Sequence, residues 1–375
     1  MFGSRFRIVG SGFTDEEYDL YDLNRLRDQN LAMRYLSNRL NNDIFRPRVN
    51  ASAQQHFLED KWVMQVYFSG IGLPVPEALG VFHPKFGMTM DRRPFQSAAD
   101  FASALDDRLL PTKLVMKPRG GRQGRNIHVI EIDRDRSGGL VVSVGGKASA
   151  LCEFLDALPN DAFSDYDGGY HGWLVQRYLE QHQFMLEMNP GTVNTFRVIT
   201  FVSATGECKI HFAALRLGRK GSAADNWDKG GISVAVDAAS GVLGKGVFKP
   251  SYGGAWVTHH PDTGVLLVGR RVPDWSAIVD LCKRAACALS GARSVGWDIA
   301  LTPDGPVIIE GNAAWSLPLV QVHSEGYLSD EVRADLAQFG ASFPTKISGV
   351  GKALMVNFLR TWRRTRVYGA LSRMR

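Results

Sequence analysis

The sequence predicts an α+β fold, and three observations predict it. From residue 113 onward, short β-rich runs alternate with Gly, Pro, Asp and Asn breaks: KLVMKP, NIHVIEI, GLVVSVGG, WLVQRYL, NTFRVITFVS, CKIHFAALRLG, GISVAVD, VGWDIAL and PVIIEGN. Helical patterns, ASALCEFLDAL and SAIVDLCKRAACALS, fall between them without the regular βαβ spacing of a parallel sheet, so antiparallel sheets backed by helices are expected. The first fifty residues read as helix instead. DEEYDLYDLNRLRDQNLAMRYLSNRL carries apolar residues at helical spacing, with Thr14 as cap before Asp15, Glu16 and Glu17. A further helix around LEDKWVMQVYFSGIG ends at glycine before LPVPE.

A chain of 375 residues is long enough for two or three packed units, and 45% hydrophobic with 22% charged residues excludes disorder over most of it. No run approaches the roughly 18 apolar residues of a membrane span, and MFGSRFRIVGSGFTDEE lacks an apolar signal core, so a cytoplasmic address is expected. Cys152, Cys208, Cys282 and Cys287 form no CxxC pair and read as buried free thiols. The net charge of +6 is local: residues 351–375 hold Lys352, Arg360, Arg363, Arg364, Arg366, Arg373 and Arg375 with no acid, and removing those seven charges leaves −1. A balanced body of this kind argues against a nucleic-acid-binding module.

The most informative segment is VGWDIALTPDGPVIIEGN, residues 295–312. Pro303–Asp304–Gly305 suits a three-residue hairpin loop with a bulge, which pairs Thr302 with Pro306 and, in step, Asp298 with Glu310. Two carboxylates then face each other, with Asn312 two residues on along the same face. Like charges opposed across a strand pair destabilise it unless a positive charge lies between them, and a divalent cation would satisfy all three groups. Hard oxygen ligands suit Mg²⁺ better than zinc or copper. The alternative is a solvated hairpin, but Val295, Trp297, Ile299, Ile308 and Ile309 are too apolar for an exposed ribbon.

KLVMKPRGGRQGRNIHVIEI, residues 113–132, reads as strand, glycine-rich turn, strand. Gly120, Gly121 and Gly124 permit backbone amides to approach an anion and Lys117 supplies a point charge, so the turn suits phosphate unless it is merely flexible. It is neither a P-loop nor a dinucleotide fingerprint, since it leads into a strand. WLVQRYLEQHQ either offers an adenine edge its backbone between Gln176 and Leu179, with Glu180 on the ribose, or is a plain core strand. Arg197 interrupts the apolar run NTFRVITF and must face a structural carboxylate or a transferring phosphoryl group. ADNWDKGGISVAVDAASG is a surface loop or a substrate loop, and His259 and His260 read as solvated.

Taken in this order, the pieces resemble the ATP-grasp superfamily from about Lys61 to Asn312. They look most like its sugar-transfer-associated branch, through GFTDEEYDLY, TVNTFRVITF, DNWDKGGISVAVDAASG, THHPDTG with VPDW, and WDIAL…VIIEGN. The resemblance implies two α+β lobes clasping ATP, divided as an N-terminal helical region (1–57), a lobe with the glycine hairpin (58–175), a lobe with the metal site (176–340) and a basic C-terminal tail (341–375). It implies that Lys61 and Lys117 contact ATP phosphates beneath Gly120, Gly121 and Gly124, and that Gln176, Arg177, Tyr178 and Leu179 hold adenine with Glu180 beside them. Asp298, Glu310 and Asn312 would bind Mg²⁺, while Lys117 and Arg197 would act catalytically. Asn194, Thr195, Asn226, Asp228, Lys229 and Gly230 would meet the substrate. Many members place an acid at the hinge where this chain has Gln176–Arg177.

The implied chemistry is ligation of a small-molecule or saccharide carboxylate to an amine or thiol through an acyl phosphate, in exopolysaccharide or cell-envelope saccharide biosynthesis. Such chemistry needs positioning and charge neutralisation more than a protein nucleophile. A kinase acting on a hydroxyl with the same ATP cradle is the alternative, as is a non-catalytic membrane or nucleic-acid binder. The tail reads as a docked helix or as an interfacial helix resting on anionic lipid at the inner face of the membrane.

Overall fold

A computed structural model describes residues 2–121, 124–159, 169–222 and 225–347. The basic tail at 351–375 lies outside the described residues. Among the described residues, contacts define one unit of 2–51, 203–207 and 314–347 and another within 52–202 and 208–313. The expected divisions run differently: the lobe expected at 58–175 falls within the second unit, whereas the one expected at 176–340 is shared, its residues 203–207 and 314–340 lying with the N-terminal helices.

In the first unit the capping signal works as written. Thr14 Oγ1 accepts from the Glu17 amide at 3.0 Å, and Glu17 Oε2 accepts from the Thr14 amide at 2.8 Å, starting the helix Asp15–Leu20. The expected long helix stops there because Asp22 turns left-handed (φ 52°), and 3₁₀ turns at Leu23–Arg25 and Gln29–Arg34 follow. Asp and Asn in DLNRLRDQN compete locally for backbone bonds, which helical spacing alone does not register. Gln321 explains why distant segments merge: its side chain accepts from the Leu36 amide at 2.6 Å and donates to the Leu36 carbonyl at 3.0 Å. Thr14→Ala is expected to lower the stability of this unit by about 1 kcal/mol, read as an earlier thermal unfolding of its CD signal.

The second unit contains two seven-stranded antiparallel sheets. The strands of the first are β1 (Ala78–Phe82), β2 (Met88–Thr89), β3 (Thr112–Pro118), β4 (His128–Arg134), β5 (Leu140–Val144), β6 (Lys147–Ala150) and β7 (Trp173–Arg177), in the order β2-β1-β7-β3-β4-β5-β6. The second is made of β8 (Thr195–Val202), β9 (Cys208–Leu217), β10 (Ile232–Val236), β11 (Leu243–Phe248), β12 (Trp256–Val257), β13 (Ser294–Thr302) and β14 (Gly305–Asn312), in the order β12-β11-β10-β9-β8-β13-β14. Every run read as β-rich becomes a strand. Unforeseen are β1, β2, β6, β11 and β12, which are very short or broken by small residues, as in ALGVF and LGKGVF. The boundary expected at 175/176 would cut β7, which is hydrogen-bonded between β1 and β3.

Period-two alternation decides which face of each sheet is apolar. In the first sheet Leu114, Met116, Ile130, Ile132, Trp173 and Val175 face one core, leaving Lys117 and Gln176 on the opposite face. In the second, Phe196, Val198, Leu215, Leu217, Ile232 and Trp297 pack with the helix Trp275–Cys287, and the other face carries Thr195, Arg197, Arg216, Ser233 and Asp298.

The hairpin of β13 and β14 corrects the expected register. Thr302 pairs with Gly305 instead of Pro306, so the loop is two residues long; a bulge at Ile309 then restores the step, and Asp298 still lies opposite Glu310. Of the cysteines only Cys282 is buried; Cys208 is half-buried, and Cys152 and Cys287 are exposed. His260 is fully buried instead of solvated, its Nε2 on the Gly218 carbonyl at 3.0 Å, whereas His259 sits against Thr258. Among the described residues no helix is long and apolar enough to cross a membrane.

Candidate functional site

Cross-strand pairing brings the charged residues of the second sheet into one row. Arg197 on β8 is the partner of Asp298 on β13, which is the partner of Glu310 on β14. The guanidinium of Arg197 grips Asp298 through two bonds, Nε to Oδ1 at 2.6 Å and Nη2 to Oδ2 at 3.0 Å. Arg216 of β9 adds a contact at 3.2 Å to Asp298 Oδ2, and also reaches Asp225 at 3.0 Å and Thr195 Oγ1 at 3.1 Å. The positive charge that allows two carboxylates to oppose each other is therefore supplied first by the protein. Of the two partners expected for Arg197, the structure selects the carboxylate.

Glu310 has a different environment. Its carboxylate lies 3.8 Å from the Lys61 ammonium and accepts from the Asn312 amide at 3.2 Å, and both Glu310 and Asn312 remain partly exposed. Burial pushes the Glu310 carboxyl up, but Lys61, Lys117, Arg197 and Arg216 together outweigh it and hold its pKa at about 2. It is a carboxylate at any physiological pH.

Lys61 opens the helix Lys61–Gly70, and its ammonium also donates to the Gly121 carbonyl in the glycine turn. Asp60 anchors that helix twice: it caps the amides of Trp62 and Val63, and it takes a two-bond ion pair from Arg119 at 2.7 and 2.6 Å. The turn after β3 is thereby fixed to the helix. Gly120 and Gly121 are buried, and Gly124 has φ 63°, where a side chain would be strained. Lys117, at the end of β3, is 6% exposed, and burial, with Lys61 nearby, lowers its pKa to about 8. Two lysines and a glycine turn thus face the Glu310–Asn312 edge, an arrangement able to take a polyanion between them.

The expected metal ligands separate by availability. Both oxygens of Asp298 are occupied by guanidinium groups, while Glu310 and the Asn312 side chain, whose amide nitrogen is the bonded atom, present hard oxygen donors at a partly open edge. That donor chemistry fits Mg²⁺ completed by water and phosphate oxygens; Asp298 joins it only by releasing an arginine. Among the described residues no three His, Cys, Asp or Glu side chains gather into a metal-binding group.

The other residues expected at the site are held as follows. Gln176 is buried and donates to Gln65 Oε1 at 2.8 Å, so its side chain serves the packing of β7 on the helix. The amides of Arg177 and Tyr178 are spent on the carbonyls of Glu77 (2.8 Å) and Lys113 (3.0 Å), which leaves Leu179 and exposed Glu180 as the open part of the hinge. Asn194 is fully buried in bonds to Gln181, Asn189 and Gly218. Thr195 is buried too, donating to Asp225 at 2.5 Å. Asn226 caps the 3₁₀ turn Trp227–Lys229 by accepting from the Asp228 amide; Asp228 pairs with Lys249 at 2.6 Å; Lys229 is exposed, and Gly230 ends the turn left-handed at φ 87°. These last four line an accessible loop. Arg216 and Asp225 were not singled out from the sequence, although a lone arginine inside the apolar run AALRLG is the same signal that marks Arg197.

Residues 40–334 match the family described as sugar-transfer associated ATP-grasp. Solved structures with similarity include an L-amino acid ligase from Bacillus licheniformis (16% identity, TM-score 0.36, covering 69% of this chain and 41% of that one). A D-alanine–D-alanine ligase from Bacillus anthracis gives 12% identity and a TM-score of 0.37, over 75% of this chain and 68% of that one. The biotin carboxylase domain of the Hydrogenobacter thermophilus 2-oxoglutarate carboxylase gives 11% identity and a TM-score of 0.40, over 74% and 47%. This chain thus spans less than half the length of the first and third of these. No curated protein matches the sequence.

Proposed function

Because the chain belongs to the sugar-transfer-associated ATP-grasp family, we propose that it is an ATP-dependent ligase joining a saccharide-borne or small-molecule carboxylate to an amine or thiol. The observation that carries this reading is the opposition of Lys61, Lys117 and the glycine turn to the Glu310–Asn312 edge. Two buried ammonium groups on one side and hard oxygen donors on the other form a place for a nucleotide triphosphate and its counter-ion. The reference to sugar transfer supports a saccharide substrate.

In this reading Lys117 and Lys61 bind phosphate oxygens, and the turn at Gly120, Gly121 and Gly124 covers them with backbone amides. Leu179 and Glu180 meet the nucleoside at the hinge. The acceptor carboxylate attacks the γ-phosphorus, the β,γ-bridging oxygen leaves with ADP, and the amine then displaces inorganic phosphate and loses a proton. Glu310 and Asn312 would hold Mg²⁺, which when bound neutralises phosphate charge. Arg197 keeps Asp298 and the row beside the reaction in place, and Arg216 holds a buried positive charge on the same face.

The test is release of ADP by full-length protein offered panels of carboxylates and amines. The expected result is ADP formation that requires one of each, reduced about 10²-fold or more in Glu310→Gln. ADP formation with a hydroxyl acceptor and no amine would replace the ligase by a kinase. Undiminished turnover in Glu310→Gln would remove the assignment of the site.

A further inference from the structure

We propose that Asp225 is a positioning residue: together with Thr195 it retains Arg216 when Asp298 turns from that arginine to a divalent cation beside Glu310. This rests on the reading of the site given above and adds which arginine is released and what takes it up. The Arg216 Nη2 stands between two carboxylates, 3.0 Å from Asp225 Oδ1 and 3.2 Å from Asp298 Oδ2. Its Nε donates to Thr195 Oγ1 at 3.1 Å, and that hydroxyl donates to Asp225 Oδ2 at 2.5 Å. Guanidinium, hydroxyl and carboxylate thus close a ring that contains no atom of Asp298. Strand pairing sets it up: Thr195 of β8 is the partner of Arg216 of β9, and Arg197, two residues further along β8, is the partner of Asp298.

The two arginines of the row are therefore not equivalent. Among the described residues the buried Arg197 side chain bonds to Asp298 alone. Its release would leave an uncompensated charge in the interior, which is the costly way to break a buried ion pair. Arg216 gives up one contact of three and keeps a counter-ion. Asp225 is held where it must be for this, because the turn that follows it is fixed. Trp227 is buried and its indole N–H donates to the Val247 carbonyl at 2.9 Å, while the Gly231 amide donates to the Asn226 carbonyl at 3.1 Å. A Cβ on Gly231 would lie 2.8 Å from the Asp225 carbonyl oxygen, so the turn is closed tightly against that residue. The Asp298 oxygen that Arg216 leaves is a hard donor on the strand directly opposite Glu310.

Full-length protein titrated with Mn²⁺, standing in for Mg²⁺, in the presence of ADP tests this. Electron paramagnetic resonance measures the free ion, and line broadening in isotopically enriched water counts the waters on the bound one. Asp225→Asn is expected to bind Mn²⁺ about tenfold more weakly and to carry one more water than wild type, because Asp298 stays with Arg216. Adding Arg216→Met to that variant removes the group that holds Asp298, so the water count returns to that of wild type. Thr195→Val keeps both buried charges and is expected to weaken binding about threefold, which keeps the test decisive if Asp225→Asn does not fold.

A wild-type water count in Asp225→Asn overturns the proposal, since Asp225 would then act only as a distant charge. Unchanged affinity in Thr195→Val overturns it too, as does the absence of ADP-dependent Mn²⁺ binding by wild type. Should affinities and water counts follow expectation while no carboxylate–amine pair releases ADP, Asp225 keeps this role and the ligase reading falls. The reverse pattern removes the role and leaves the ligase.

Discussion

Asp298→Asn is expected to destabilise the second unit by about 3–5 kcal/mol, the cost of removing one partner from a buried ion pair. Asp298 is 1% exposed and answers two guanidinium groups, those of Arg197 and Arg216. A neutral amide of the same shape leaves those charges with Asp225 as their nearest buried counter-ion, and Asp225 already accepts from Thr195 and Arg216. Urea unfolding followed by fluorescence measures the loss, since buried Trp297 on β13 reports on this sheet. The distinctive outcome lies in the pair. Arg197→Met with Asp298→Leu replaces a desolvated ion pair by apolar groups, so the double variant should be more stable than Asp298→Leu alone. Strict additivity, or wild-type stability in Asp298→Asn, would show that the row is not a coupled unit.

Lys117→Met is expected to reduce ATP-dependent turnover by about 10²–10³-fold while leaving the nucleotide-free protein more stable than wild type at pH 7. Both effects come from one buried ammonium. Burial lowers its pKa from 10.5 to about 8. The group therefore binds fewer protons folded than unfolded between those values, and its contribution to stability rises with pH across that window. Below about pH 8 the charged form is held at a cost. A bound polyphosphate reverses the sign by favouring the ammonium, so nucleotide binding takes up protons above pH 8 and weakens as pH rises toward 10.5. Isothermal titration of ATP in buffers of different ionisation enthalpy measures that uptake. Lys117→Met should abolish it, and an unchanged proton uptake in the variant would move the phosphate contact to another residue.

Much of this site is readable before folding, but by unequal routes. Asp298 and Glu310 are legible as neighbours because two apolar strands flank a turn signal and side chains alternate with period two. The pairing nevertheless arises from a shorter loop compensated by a bulge at Ile309. Lys117 is legible as the polar end of an apolar strand before glycines. Gln176 and Asn194 look equally available in sequence, yet both are consumed by internal hydrogen bonds, because a polar residue facing another polar group is indistinguishable from one facing a ligand until the packing is known. Arg216 carried a usable signal, since a buried arginine always requires a partner.

By itself the sequence determined the α+β class, nine of the fourteen strands described, the cap at Thr14 and the glycine turn, because period, cap and turn chemistry are written within a few consecutive residues. Only the tertiary structure decided which charges neutralise which. Arg197 and Asp298 are 101 residues apart and become partners only when β8 and β13 pair. Electrostatic identity in a low-dielectric interior belongs to neighbours in space, and chain order does not specify them.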